Sequence, residues 1–125
     1  MIFGIGTDIV EVERIAASIA QYGDELAKRI LTESELERYL LSNIQARFLA
    51  KRFAAKEAFS KALGTGLRGP VSFQNITVTH DDLGKPLLLL ATELQTFLHA
   101  KGIQHSHLSI SDERNLAAAF VVLET

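Results

Sequence analysis

Apolar and polar positions change period several times along the chain, and each change marks an element. From Ile2 to Val10 the alternation is that of a strand, with Phe3, Ile5, Thr7 and Ile9 on one face and Ile2, Gly4, Gly6, Asp8 and Val10 on the other. Glu11 to about Ala20 follows a helical period, Gly23 breaks it, and Asp24 to Ile30 adds a short helical turn. Thr32-Glu33-Ser34-Glu35 has the form of a capping box and opens a helix through about Leu41. The next helix runs from about Gln45 to Leu63 and stops at Gly64, with Gly66 and Gly69-Pro70 in the loop that follows. Phe73 to Thr79 alternates as a strand, Asp81-Asp82-Leu83-Gly84 is turn chemistry, and Leu87 to Leu90 reads as the return strand of a hairpin. Thr92-Glu93-Leu94-Gln95 caps a helix ending at Gly102, and two last strands, His107 to Ser111 and Leu116 to Leu123, flank the turn Asp112-Glu113-Arg114-Asn115. Strands and helices do not alternate regularly, which predicts an α+β fold with a largely antiparallel sheet packed against helices.

Composition narrows the picture. At 125 residues the chain reads as one domain, residues 1–125, without repeat, linker or low-complexity tract. No window approaches the ~18 apolar residues of a membrane span, and the first residues lack a basic region and meet an acid at Asp8, unlike a secretory signal. With no Cys, disulfide frameworks, thiolate catalysis and Cys-based zinc sites are excluded, and the chain fits the cytoplasm. Thirteen Lys and Arg against fifteen Asp and Glu give a net charge of −2, which recommends neither nucleic acid nor an anionic membrane as partner.

Charge placement says more than its sum. Asp8 lies in the apolar stretch Ile5-Gly6-Thr7-Asp8-Ile9-Val10, where a carboxylate needs a cation or several donors, or else marks a solvated strand end or a helix cap. The neighbouring glycines clear side chains from the same strand face and would let a ligand approach the backbone. On the long helix, Phe48, Phe59, Leu63, Leu49 and Phe53 share one arc, and Arg52 and Lys56 fall inside it. Two cations on an apolar face imply an anion there, either a ligand or a buried carboxylate, unless both side chains snorkel to the rim. Arg47, Lys51 and Lys61 lie outside the arc, and Glu57 with Lys61 has the i,i+4 spacing of a helix salt bridge.

The glycine-rich stretch Leu63-Gly64-Thr65-Gly66-Leu67-Arg68-Gly69 follows a helix instead of preceding one, so it is neither a Walker A loop nor a dinucleotide fingerprint. Gly84-Lys85-Pro86 is either a plain hairpin turn or a place where glycine admits a ligand and lysine reaches a phosphate. His105, His107, Ser109 and Ser111 line one strand face, either a solvated edge or a site wall. No third ligand at a recognisable spacing supports zinc, and a triad of Ser109, His107 and Asp112 lacks a nucleophile elbow.

Taken together, Ile5-Gly6-Thr7-Asp8-Ile9-Val10, Arg52-Phe53-Ala54-Ala55-Lys56-Glu57-Ala58-Phe59-Ser60-Lys61-Ala62-Leu63-Gly64-Thr65-Gly66, Gly84-Lys85-Pro86 and His107-Leu108-Ser109-Ile110-Ser111 resemble the holo-acyl-carrier-protein synthases, the small single-domain group of 4'-phosphopantetheinyl transferases. The resemblance covers essentially the whole chain, in order. It implies that fold and a transfer of 4'-phosphopantetheine from coenzyme A to a serine of apo acyl carrier protein, leaving adenosine 3',5'-bisphosphate, in support of fatty acid biosynthesis. It implies a magnesium ion held by Asp8 and Glu57, with coenzyme A and water completing its shell, the water-rich coordination usual for that ion. Arg52 and Lys61 would face phosphates, the Gly64–Gly66 turn and Gly84-Lys85-Pro86 would let backbone approach coenzyme A, and His107, with Ser109 beside it, would reach the site from a neighbouring subunit of a homotrimer. Candidate bases for the carrier serine are a metal-bound water, Glu57 and, through water, His107.

Where many members have His after the second serine of the late motif, this chain has Asp112, an acidic variant that some members share. The family's carrier-docking helix follows the first strand and is often rich in Arg. Here it offers Arg14 with neutral Ser18 and Gln21, so an acidic carrier would lean also on Lys28, Arg29, Arg47 and Lys51. The competing class is a non-catalytic trimeric module that binds a nucleotide or an acidic partner through its basic helix.

Overall fold

The computed structural model describes all 125 residues. β1 (Ile2–Glu11) opens the chain and runs directly into α1 (Val12–Tyr22), α2 (Glu25–Ile30) and α3 (Glu33–Leu40). The long α4 (Gln45–Leu63) follows, then a hairpin of β2 (Ile76–His80) and β3 (Pro86–Leu90), α5 (Thr92–Ala100), and a second hairpin of β4 (His105–Asp112) and β5 (Leu116–Glu124). The strands form a three-stranded sheet in the order β1-β5-β4 and the separate two-stranded β2-β3, with every pairing antiparallel. This is the expected α+β architecture, with helices packed against antiparallel sheet.

Local signals explain several boundaries, although α5 starts at Thr92 after Ala91 without the side-chain cap expected there. Gly23 and Gly64 end α1 and α4 with φ of 60° and 84°, and Thr32 and Glu35 form the capping box of α3. The expectation of a strand from Phe73 to Thr79 is corrected: Phe73–Asn75 is a single 3₁₀ turn and pairing starts only at Ile76. The turn is held by other partners, because the Gln74 side-chain amide donates to the carbonyls of Lys28, Arg29 and Leu31 while the Phe73 carbonyl accepts from Lys56 Nζ. Such side-chain bonds are invisible to an alternation rule.

α4 lies between two apolar cores and is buried on most of its faces. Phe59, Leu49 and Leu63 of the expected arc are buried, and a second stripe of Ala50, Ala54, Ala58 and Ala62 is buried as well. These small residues let the helix come close to β1, which meets it with Gly4 and Gly6. A Cβ on Gly4 would stand 2.0 Å from the Ala62 carbonyl oxygen, and one on Gly6 2.0 Å from that of Ala58. The two glycines therefore admit a helix, not the ligand expected from the sequence. The Gly4, Gly6, Asp8 face of β1 turns inward as a result, and the more apolar face is left outside, with Ile5 58% and Ile9 65% exposed. No helix is long and apolar enough to cross a membrane.

Candidate active site

Close packing of β1 on α4 brings Asp8 to the level of Glu57 and Lys61. Glu57 and Lys61 are one helical turn apart, and helix side chains lean toward the N-terminus, so Lys61 reaches back toward Asp8. Its Nζ donates to Asp8 Oδ1 at 2.9 Å and to the Thr7 carbonyl at 3.1 Å. The i,i+4 salt bridge with Glu57 is therefore set aside in favour of a contact across to the sheet. Burial first, and then the nearby Asp8 carboxylate, push the Glu57 carboxyl above its ordinary value, against a smaller opposite pull from Lys61. Two mutually repelling carboxylates, with Asp8 only 15% exposed, form a donor set suited to one small hard cation.

Asp8 also stands at the rim of a groove of about 390 Å³ lined by Val10, Ile15, Leu26, Ile30 and Phe53 with Arg14. A second groove, reaching Arg29 and Tyr22, shares Ser18 and Leu26 with the first. Arg14 and Arg29 are exposed and take part in no ion pair, whereas Lys28 lies 3.9 Å from Glu25. Arg47 and Lys51 are differently placed. Both approach Asp112, at 3.8 and 3.7 Å; expected in the turn, Asp112 is instead the last paired residue of β4, and from there it serves as their counter-ion.

The cations on the apolar face of α4 have an internal partner. Lys56 is wholly buried and donates to Glu35 Oε1 at 2.6 Å, the Ile30 carbonyl at 2.7 Å and the Phe73 carbonyl at 3.1 Å. Arg52, 5% exposed, sets Nε 3.6 Å from Glu35 Oε2 and its guanidinium 3.8 Å above the Phe48 ring. Glu35 further accepts from the backbone N–H groups of Thr32 and Val78. Of the two anions weighed for this face, the one present is the buried carboxylate. The sequence marks Glu35 only as a capping residue, and the signal that a buried acid is required is the pair of cations in an apolar arc.

His105, His107, Ser109 and Ser111 do line one exposed face of β4, with Leu108 buried behind them. Register places His107 opposite Val122, which is opposite Ile5, while Asp8 faces Ala119 and Ile110. His107 and Asp8 thus sit on opposite faces of one sheet. His107 Nε2 lies 2.6 Å from Glu124 Oε1, and Asp112 is engaged by α4, so the Ser109-His107-Asp112 triad does not form. Gly64, Gly66 and Gly84 take φ of 84°, 70° and 88° in exposed turns, and Lys85 projects from the hairpin beside Pro86.

A domain of this architecture, with two carboxylates and an ammonium at the edge of one long helix, has a matching family model. Residues 4–121 match the 4'-phosphopantetheinyl transferase superfamily, and the chain belongs to it. Within that superfamily its similarity is to the holo-(acyl-carrier-protein) synthases. It is 56% identical to the one from Nitrosospira multiformis over 99% of both chains. The crystal structure of the enzyme of that name from Neisseria meningitidis superposes with a TM-score of 0.96 at 50% identity, covering 100% of both chains. A Bacillus anthracis holo-(acyl-carrier-protein) synthase in complex with coenzyme A (3',5'-ADP) superposes with a TM-score of 0.82 at 44% identity, over 100% of this chain and 98% of that one.

Proposed function

We propose that the chain transfers 4'-phosphopantetheine from coenzyme A to a serine of apo acyl carrier protein in the cytoplasm, with the reacting phosphorus beside Asp8, Glu57 and Lys61. The observation that carries this reading is the convergence of those three side chains at the rim of an apolar groove flanked by free arginines. The B. anthracis relative's complex with coenzyme A supports the donor. The serine oxygen bonds to the phosphorus that carries the pantetheine arm, the bond from that phosphorus to the oxygen of adenosine 3',5'-bisphosphate breaks, and the hydroxyl proton passes to water. Positioning and charge neutralisation carry most of the catalysis in such a transfer. Lys61, its side chain half-exposed, donates to phosphate oxygens and stabilises the leaving phosphate. Asp8 and Glu57 would hold magnesium, which when bound neutralises charge on the diphosphate.

The groove beside Asp8 takes an apolar side chain of the carrier, while Arg14, Arg29 and Lys28 meet its acids. Because the chain as a whole is negative, an acidic carrier must dock on such a local patch. Arg47 and Lys51, like Lys28, would give up a surface ion pair to meet the carrier, a small cost, whereas Arg52 leaves the coenzyme A set for the interior cluster. Coenzyme A is held by the Gly64–Gly66 turn, by Gly84, Lys85 and Pro86, and by His107 and Ser109 of a neighbouring copy. That last assignment calls for a second copy of the chain, which the proposed homotrimer supplies, because within one chain the sheet separates His107 from Asp8.

The test is mass spectrometry of apo acyl carrier protein incubated with coenzyme A, magnesium and this protein. A gain of the phosphopantetheine mass is expected, and it should be largely lost for Asp8→Ala and Glu57→Ala. Carrier binding with no mass gain would replace the enzyme with a binding module.

A further inference from the structure

Lys61 already pairs with the carboxylate that a cation at Asp8 would use. Its ammonium donates to Asp8 Oδ1 at 2.9 Å, and the Thr7 carbonyl, 3.1 Å away, steadies it there. Glu57 is drawn into the same corner, its carboxyl feeling both Asp8 and Lys61, while Arg14 lines the groove that Asp8 rims. A divalent ion on Asp8 and Glu57 would share a carboxylate with the ammonium and lie a few ångströms from it. Like charges at that distance repel, and Asp8 is too enclosed for water to screen the pair fully. Lys61 can leave, however, because its side chain is 53% exposed while Asp8 is fixed on the sheet.

We infer that Lys61 makes metal binding and diphosphate binding depend on one another: paired with Asp8 it opposes a divalent ion, and a diphosphate that draws it away removes that opposition. The inference rests on the metal reading of Asp8 and Glu57 proposed above. It predicts that the protein alone holds the ion weakly, that coenzyme A tightens it, and that the ion tightens coenzyme A by the same factor, since such coupling is reciprocal. A lysine that served only as a phosphate contact would leave metal affinity unchanged without coenzyme A.

The experiment is a titration with Mn²⁺ alone, read by the electron paramagnetic resonance signal of the free ion at fixed ionic strength, then repeated with saturating coenzyme A. Without coenzyme A, Lys61→Met should bind Mn²⁺ more tightly than wild type, by a factor within the ~5–150-fold range of typical couplings. Coenzyme A should tighten wild type more than the variant. Equal or weaker Mn²⁺ binding by Lys61→Met without coenzyme A overturns the inference, and Lys61→Gln is the second variant should the first fail to fold. Asp8→Ala and Glu57→Ala, titrated the same way, isolate the premise. If both bind Mn²⁺ as wild type does, the metal reading itself falls, whatever Lys61 does.

Discussion

Lys56 and Lys61 lie five residues apart on α4 and meet opposite surroundings. Lys56 is sealed in the interior, where burial pulls its ammonium below its ordinary value against the upward pull of Glu35. Removing one partner of such a pair strands the other charge. Lys56→Met should therefore lower unfolding free energy by ~3–5 kcal/mol in urea denaturation, and adding Glu35→Leu should recover part of that loss. A Lys56→Met protein of wild-type stability would mean that Arg52, the Thr32 hydroxyl and the backbone donors satisfy Glu35 without the ammonium. Gly6 makes the same point through sterics. Its missing Cβ would meet the Ala58 carbonyl at 2.0 Å and the Ala62 nitrogen at 2.5 Å, both backbone atoms that cannot swing aside. Gly6→Ala should cost at least the ~1–3 kcal/mol of ordinary overpacking and lower transfer activity, because β1 must shift and take Asp8 with it. A Gly6→Ala protein with unchanged melting temperature and turnover would refute the close packing.

At the scale of the element, the β2–β3 hairpin presents Lys85 on a turn that Asp81 organises. The Asp81 side chain accepts from the N–H groups of Leu83 and Lys85 at 2.9 Å each. These bonds, that of Lys85 above all, hold its carboxyl below the usual range. A depressed carboxyl contributes stability above its ordinary value and loses it as pH falls through the depressed one. Asp81→Ala should therefore lower the melting temperature at pH 7, and the gap should close on acidification below about pH 3.9, the ordinary Asp value. A gap that persists at low pH would assign the effect to packing. If Lys85 serves coenzyme A, the same variant raises the KM for coenzyme A and leaves that for the carrier unchanged.

On the scale of the whole molecule, the three-stranded sheet has one face against α4 and leaves Phe3, Ile5, Ile9, Leu116 and Phe120 exposed on the other, an apolar patch of the kind that marks an interface. His107 lies on that face. The expected outcome is a trimer in sedimentation equilibrium and an inactive, dissociated protein for Phe120→Glu. An active monomer at assay concentration would sink the shared site. Mixing Asp8→Ala chains with His107→Ala chains under subunit exchange gives a sharper readout. In a cyclic trimer about a quarter of the sites would then combine both intact residues, so activity should return to roughly that level. No recovery on mixing would place both residues in one chain's site or remove His107 from it.

Chain-local physics was enough for much of this protein. The helix of Gln45–Leu63 with its glycine stop, the capping box at Thr32, the His-Ser face of β4 and the antiparallel α+β class all follow from period and turn chemistry over a few residues. Asp8 could be singled out because a charge in an apolar, glycine-flanked setting needs a partner, whereas Glu57 and Lys61 read as a plain helix pair and became candidates only through the family resemblance. Which partner each one took was decided only by packing. Glu35 reached Lys56 across 21 residues, Lys61 crossed 53 residues to Asp8 instead of pairing with Glu57, and Asp112 claimed Arg47 and Lys51. The apolar face of β1 ended outside for the same reason. Glycines fit against an alanine-lined helix more closely than isoleucines can, so backbone approach between β1 and α4 set which side of the strand was buried, and a one-dimensional pattern carries no information about that distance.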